Sequence, residues 1–317
     1  MTLPDGWTLR PYTPDDAETF AALLSLGGRN TSGTDLIAAD ARRGPEAQAR
    51  RELLLGPDGQ VLGGWQLQHS LFIPPDFLHL SVLVFPEARG QGAGEVLWQE
   101  ARQAARDLGA HGLSVDVPDP DPAHRAWAER RGFTLRTHRY ASELDLTQVN
   151  LADHQPALDA ARAQGVTFAD LSGADERTLE RYVDFVADRL TETPDLAGYP
   201  RWTPMQVRGA LRLETDPRPD WLILALGPGG EWLGTTAMVG FQHLPFVYNE
   251  LTATHPQARG RRLALPLKLQ VVQRAQNAGY ATMRTNNHSL NAPMLAVNRR
   301  LGFQQLAGRY EMHSLLR

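Results

Sequence analysis

Hydrophobic spacing along the chain switches repeatedly between a period near two and a period near 3.6, the marks of half-buried strands and amphipathic helices. An alternating stretch at residues 7–10 leads into Thr13, with Asp15 and Asp16 behind it, so a Thr N-cap with acids in the first turn opens a helix predicted to reach about Ser25. Strands are predicted at residues 51–55 and 61–67, joined by the hairpin turn Gly56-Pro57-Asp58-Gly59. A third strand, residues 78–85, runs straight into a glycine-rich loop. Beyond it, residues 95–108 have helical spacing, 113–117 form a short strand, and 123–131 form a helix closed by Gly132.

The same succession then returns. Residues 166–175 enter a helix much as residues 7–16 do, and that helix should run to about Ala187. Strands at 221–226 and 232–240 flank Gly227-Pro228-Gly229-Gly230; after them come a strand at 248–254, a loop, a helix to Ala278, a strand at 282–285 and a helix at 292–300. Arg89-Gly90 and Arg259-Gly260 are 170 positions apart, and so are Gly132-Phe133 and Gly302-Phe303. A fixed interval of this kind marks a duplicated domain. The halves are taken as residues 1–150 and 151–317, with the boundary in the polar stretch 147–165 that follows a strand at 140–146. Strands and helices in this order imply an α/β (α+β) fold, a mixed sheet covered by helices in each half.

Length agrees, since 317 residues are too many for one ordinary core and suit two. Hydrophobic residues make up 42% and charged residues 21%, the range of a folded globular protein. Net charge is −4, from 32 basic and 36 acidic residues with no long basic block, which argues against nucleic acid as a partner. There is no cysteine, so thiolate chemistry is excluded, and the ten scattered histidines form no paired-ligand motif, so no metal is expected. No stretch reaches the roughly 18 apolar residues of a membrane span, and the N-terminal residues lack a basic and apolar leader pattern. The expectation is a cytoplasmic protein with no membrane partner.

A strand that ends in Arg89-Gly90-Gln91-Gly92-Ala93-Gly94 and opens directly into a helix offers a row of backbone N–H groups at the positive end of the helix dipole. Gly90, Gly92 and Gly94 remove the Cβ atoms that would hold a diphosphate away, and Arg89 adds a forked charged donor. A tight strand-to-helix turn would also choose glycine; the repetition of loop and context favours the phosphate reading. Dinucleotide and nucleotide-triphosphate folds fit less well, because the loop comes late in the domain and lacks a Gly-Lys-Ser/Thr ending.

Arg89-x-x-Gly92-x-Gly94, preceded by Val84-Phe85-Pro86 and followed by Gly132-Phe133, resembles the signature of the GNAT superfamily of acyl-CoA-dependent N-acyltransferases. The second half, from Leu251-Thr252-Ala253-Thr254 through Asn291-Ala292-Pro293 to Gly302-Phe303, is similar to the C-terminal half of tandem GNAT proteins. The resemblance implies two GNAT-like domains, each with a mixed, mostly antiparallel sheet. It also implies acetyl-CoA as cofactor and an amine on a small molecule or peptide as acceptor. By it, the loop amides of Gln91, Gly92, Ala93 and Gly94 hold the CoA diphosphate beside Arg89 and Gly90. Backbone groups of Val82, Leu83 and Val84 pair with the pantetheine arm. The matching positions in the second half are Thr252, Ala253 and Thr254, then Arg259, Gly260, Arg261, Arg262, Leu263 and Ala264, and Asn291 matches a frequent cofactor-contacting Asn.

Two departures mark the second loop. Arg262 replaces a glycine, where it either crowds the diphosphate or contacts it, and Pro266 removes one N–H from the helix's first turn. Aminolysis of a thioester needs a base for the amine, polarisation of the carbonyl oxygen and a proton for the thiolate. Glu250, placed by alternation on the face of Thr252 and Thr254, is the candidate base, against the plainer reading of a strand-edge Glu. Asn298 stands where many relatives carry a tyrosine acid, and Ala128 stands there in the first half; an amide cannot protonate a thiolate, which leaves solvent for that step. Glu250 and Asn298 are therefore the candidate catalytic positions, and His79 of the first half is read as a packed or surface histidine. Residues 188–208, rich in proline and aromatics, form either a lid or a packed loop, with Tyr199 and Trp202 as candidate acceptor contacts. The reading is an N-acyltransferase with cofactor held chiefly by the first half and the reaction carried by the second. A catalytically idle acyl-CoA sensor and an enzyme whose first half is active are the alternatives.

Overall fold

In the computed structural model, which describes residues 3–28, 31–41, 49–194, 196–241 and 244–316, the alternating N-terminal stretch forms β1 (Thr8–Pro11). Thr13 and Asp16 make a reciprocal capping box before α1 (Ala17–Leu26), as the acids after Thr13 predicted. Then follow α2 (Gly33–Ala41), β2 (Arg50–Leu55), β3 (Val61–Gln68), β4 (Phe77–Val84), α3 (Ala93–Asp107), β5 (Gly112–Pro118), α4 (Pro122–Glu129) and β6 (Thr134–Asp145). The β2–β3 turn needs a left-handed residue, and Gly59 supplies it at φ +81°.

The second succession comprises α5 (Gln155–Arg162), β7 (Thr167–Asp170), α6 (Glu176–Leu190), α7 (Pro204–Ala210), β8 (Leu222–Leu226), β9 (Trp232–Gly240), β10 (Val247–Thr254), α8 (Ala264–Asn277), β11 (Thr282–His288), α9 (Ala292–Leu301) and β12 (Gln304–Leu315). Four elements differ from the sequence reading. The polar stretch 147–165 contains α5, because apolar Ala157, Leu158 and Ala161 recur at helical spacing and pack inward. Helices α2 and α7 and strand β12 were not foreseen.

Two compact units result, Met1–His138 with Gly308–Arg317, and Arg139–Ala307. In unit 1 the strand order is β1-β2-β3-β4-β5, completed by β12, whose residues Arg309 to Leu315 pair antiparallel with Pro118 to Gly112. In unit 2 the order is β7-β8-β9-β10-β11, completed by β6, whose residues 139–145 pair antiparallel with β11. The expected division was 1–150 and 151–317; of these residues, 139–150 fall in unit 2 and 308–317 in unit 1. Among the described residues each unit's sheet is antiparallel except where β4 meets β5 and β10 meets β11.

Those two parallel contacts position everything that follows. Strands β4 and β5 are paired only from Phe77 to His79 against Gly112 to Ser114. Strands β10 and β11 are paired only at Val247 and Tyr248 against Met283 and Arg284. Beyond these points each pair parts. On one face of unit 1, α3 closes the core by setting Val96, Leu97 and Trp98 against Trp65, Leu80, Leu113 and Met312. Unit 2 repeats this packing with Leu265, Leu269 and Val272 of α8 over Ile223, Met238 and Met283.

Candidate functional site

Where β4 leaves β5, its edge from Leu80 to Val84 lines a cleft of about 480 Å³ in unit 1. Val82, Leu83 and Val84 keep their antiparallel bonds to β3 on the other side. At the upper end of β4 lies the glycine loop. Gly90 and Gly92 adopt φ +77° and +94°, a region costly for any residue with a Cβ, and Gly92 is the N-cap of α3 with no side chain capping it. Among the described residues, none of the five amides at positions 90–94 donates to a protein acceptor. Open space surrounds the Cβ positions of Gly90 and Gly92, and a Cβ on Gly94 would meet only Trp127 and Val84 at 3.8 Å.

Charge around this loop is arranged to leave the amides free. Arg89 donates from Nε to the Val84 carbonyl at 3.2 Å and reaches no carboxylate among the described residues. Glu95, in the first turn of α3, is paired with Arg131 and Gln99. Burial alone would raise its pKa, but those two donors hold it below the usual carboxylate range. Arg131 in turn lies 3.7 Å from the centre of the Trp127 ring, so the wall of the cleft is a stacked cation and indole. The Gln91 side chain turns away, donating to the Glu87 carbonyl.

His79 occupies the point where the strands part. It is 5% exposed, lines the cleft, and neither ring nitrogen has a hydrogen-bond partner among the described residues; the nearest carboxylate, Asp116 on β5, lies 3.6 Å from Nε2. The sequence reading of a packed or surface histidine agrees with this burial but did not foresee Asp116 beside it, because Asp116 is 37 positions away and only the fold brings the two together. Arg309 of β12 stands 3.5 Å from the same carboxylate.

Unit 2 keeps the outline and changes the contents. Gly260 retains φ +79°, and Arg262 takes the place of Gly92 at φ +61°, a left-handed conformation that costs a residue with a Cβ about 1–2 kcal/mol. Arg259 ion-pairs with Glu192. Arg261 is tied to Gln164, donating from Nε to its Oε1 at 3.1 Å. Leu263 is buried in the apolar cluster and serves as N-cap of α8 ahead of Ala264, with Pro266 buried in the first turn. Between α8 and β10, fully buried Lys268 donates to Asn249 Oδ1 at 2.6 Å, and Asn249 joins Thr252 and Thr236 in one hydrogen-bonded group. Thr285 of β11 donates to the Asn249 carbonyl at 3.0 Å, bridging the strands where they part.

Strand β10 carries a β-bulge at Glu250, since Asn249 faces Met238 while Leu251 already faces Ala237. Strict alternation therefore fails there, and Thr252 shares the face of Asn249, to which it bonds directly at 3.1 Å. The placement of Glu250 beside Thr252 and Thr254 by period two is corrected accordingly. Glu250 keeps an exposed edge, yet the protein around it desolvates the carboxyl and pushes its pKa up to about 6. Ala253 packs against the α6 cluster and Thr254 lies at the strand end.

The remaining candidates have structural partners. Asn298, 3% exposed, donates to Asn287 Oδ1 at 2.7 Å, and Asn287 donates to Ser142. Asn291 is the N-cap of α9, accepting from the Met294 amide at 3.4 Å. Trp202 is buried in the core under α6 and Tyr199 packs against that core; segment 188–208 takes in the end of α6 and the start of α7, and Asp195 within it lies outside the described residues. No cluster of histidines and carboxylates suited to a metal occurs among the described residues, and no helix there is long and apolar enough to cross a membrane.

Residues 29–133 match the family model described as the acetyltransferase (GNAT) family. No curated protein matches the chain at a significant level. Among solved structures, a GCN5-related N-acetyltransferase from Sphaerobacter thermophilus aligns over 100% of this chain and 98% of its own, with TM-score 0.71 and 19% identity. A tandem GNAT protein from the clavulanic acid biosynthesis pathway aligns over 98% and 99%, with TM-score 0.68 and 21% identity. A glucosamine N-acetyltransferase region of a fungal multi-domain β-N-acetylglucosaminidase aligns over 98% of this chain and 38% of that one, with TM-score 0.75 and 15% identity. At these identities the likeness is one of fold.

Proposed function

We propose that the protein transfers an acetyl group from acetyl-CoA to an amine and that the cleft of unit 1 is where it does so; the match of residues 29–133 to the acetyltransferase (GNAT) family model and a fold like that of a tandem GNAT protein support this reading. One observation carries this reading: five consecutive loop amides, at positions 90–94, have no protein acceptor and stand at the head of a cleft beside an arginine that reaches no carboxylate. A diphosphate is the kind of group that satisfies such a set, with many acceptor oxygens and negative charge at a helix N-terminus. The residues present fit it, because nothing crowds Gly90, Gly92 or Gly94.

When bound, acetyl-CoA supplies the acyl group as an activated thioester. The chain's own groups hold it and take up the amine's proton, and the departing thiolate takes a proton from solvent. Loop amides and Arg89 hold the diphosphate, and the freed edge of β4 from Leu80 to Val84 offers N–H and C=O groups to the amides of the pantetheine arm. His79 takes the proton of the acceptor amine at Nδ1, while Asp116 beside Nε2 steadies the imidazolium that results. Trp127 and Arg131 wall the cleft and limit the entry of water.

Free thiol release from acetyl-CoA across a panel of small amines and peptides tests the reading. His79→Gln is expected to lower kcat about 100-fold with KM for acetyl-CoA little changed, the size of effect usual for a general base. Unchanged kcat in that variant would remove His79 from the reaction. A second reading places the chemistry in unit 2 at Glu250, favoured by its bulge and by a carboxyl pKa pushed up to about 6, near the range useful for a base. Loss of turnover in Glu250→Gln with full turnover in His79→Gln would establish that alternative.

A further inference from the structure

One arginine in the cleft of unit 1 has no part in holding the coenzyme. Of the three that line it, Arg89 stands at the glycine loop, and Arg131 pairs with Glu95 above the Trp127 ring. The third, Arg309, comes from β12, where it faces Pro118 of β5 on the diagonal from Asp116. Its side chain is partly exposed and donates no hydrogen bond among the described residues; its ion pair, with Asp116 Oδ2, is 3.5 Å long. The same Oδ2 lies 3.6 Å from His79 Nε2. One carboxylate oxygen therefore stands between an imidazole and a guanidinium. Glu311, which faces Asp116 from β12, is bonded to His313 at 2.6 Å. Once His79 has taken a proton, two cations share the charge of Asp116, and a second anion beside Arg309 would restore the balance.

We propose that the acceptor is a free amino acid and that Arg309 selects it, taking the carboxylate on its guanidinium fork while the amine meets His79. The proposal rests on reading the cleft of unit 1 as the active one, with His79 as base. A planar fork of two N–H donors suits a carboxylate better than any neutral group. Because imidazole and guanidinium both lie within 3.6 Å of one oxygen, an acceptor that meets both carries its amine and carboxylate a few bonds apart. A free amino acid has that arrangement; the N-terminal amine of a peptide and a plain alkylamine do not. In the transfer, the acceptor nitrogen bonds to the acetyl carbon and the thioester C–S bond breaks. The amine's proton passes to His79 and the thiolate is protonated by solvent, leaving an N-acetylamino acid and free CoA.

Thiol release from acetyl-CoA by the full chain tests this, with the common L-amino acids and β-alanine as acceptors, each beside its amide and its decarboxylated amine. For the acid turned over best, wild type should favour the acid over its amide by about 10- to 100-fold in kcat/KM, the worth of a hydrogen bond to a charged group. Arg309→Gln should bring that ratio close to one, and Arg309→Glu should bring it below one. Arg309→Lys, which keeps the charge and loses the fork, should fall between wild type and Arg309→Gln. With a melting curve for each, it also covers the case in which the other two do not fold. A purely structural part for Arg309 would slow acid and amide alike and leave the ratio as it was, which overturns the proposal. Preference of the wild type for amides or plain amines overturns it too, while leaving the cleft of unit 1 as the active one. No turnover of any acid, amide or amine, or turnover unchanged in His79→Gln, instead overturns the reading of unit 1 and the proposal with it.

Discussion

Lys268 shows how one position separates the two halves. Its counterpart 170 positions earlier is Trp98, and each packs on the Phe of its Gly-Phe pair, Trp98 at 5.5 Å from Phe133 and the Lys268 ammonium at 5.1 Å from Phe303. Burial pushes the Lys268 pKa from 10.5 down to about 7, since no carboxylate among the described residues offsets the loss of water. The sign follows from linkage. Between pH 7 and 10.5 the unfolded chain binds this proton and the folded chain does not, so stability rises with pH across that window, by up to about 1.4 kcal/mol per unit. Urea unfolding at pH 7, 8 and 9 should show the wild type gaining stability relative to Lys268→Met. Parallel curves for the two proteins would place the amine in water instead. Residues of this kind were only partly legible. The glycines and Arg89 announced themselves because few types suit a left-handed turn facing an anion. His79 did not, because its partner lies on another strand. Glu250 misled, because a bulge adds one residue that looks like any other in an alternating string.

At the scale of elements, the strands and helices around the loops follow from spacing, caps and hairpin turns, and lie within a few residues of where periodicity put them. The strands that finish each sheet do not. Residues 304–315 alternate poorly, with Gln304, Gln305, Arg309, Glu311 and His313 among them, and the end of the chain gives no hint that residues 308–315 serve unit 1. Yet Met312 of that strand is fully buried in the core of unit 1, beside Leu113 and Trp98. Met312→Ala should cost about 2–5 kcal/mol, the usual range for truncating a buried methionine, and denaturant unfolding reads it directly. A loss below about 0.5 kcal/mol, the scatter of surface changes, would mean that β12 does not close that core.

Over the whole molecule, duplication supplies two loops of one shape, and the side chains around them have diverged. Unit 1 keeps bare amides, an arginine that reaches no carboxylate and a histidine beside a carboxylate at the parting of its strands. Unit 2 fills the matching places with Glu192, Lys268 and the bridge from Thr285. The repeat itself was legible at a glance because glycine and arginine recur at one interval. The difference in contents was not, since Glu192 meets Arg259 across 67 positions and only the fold makes them neighbours. The most direct test of this account is a crystal structure of the chain grown with coenzyme A. Diphosphate oxygens within about 3 Å of the amides at positions 90–94, with the arm along Val82 to Val84, is the result expected. A coenzyme seated elsewhere, with that turn closed on its own helix, would contradict it.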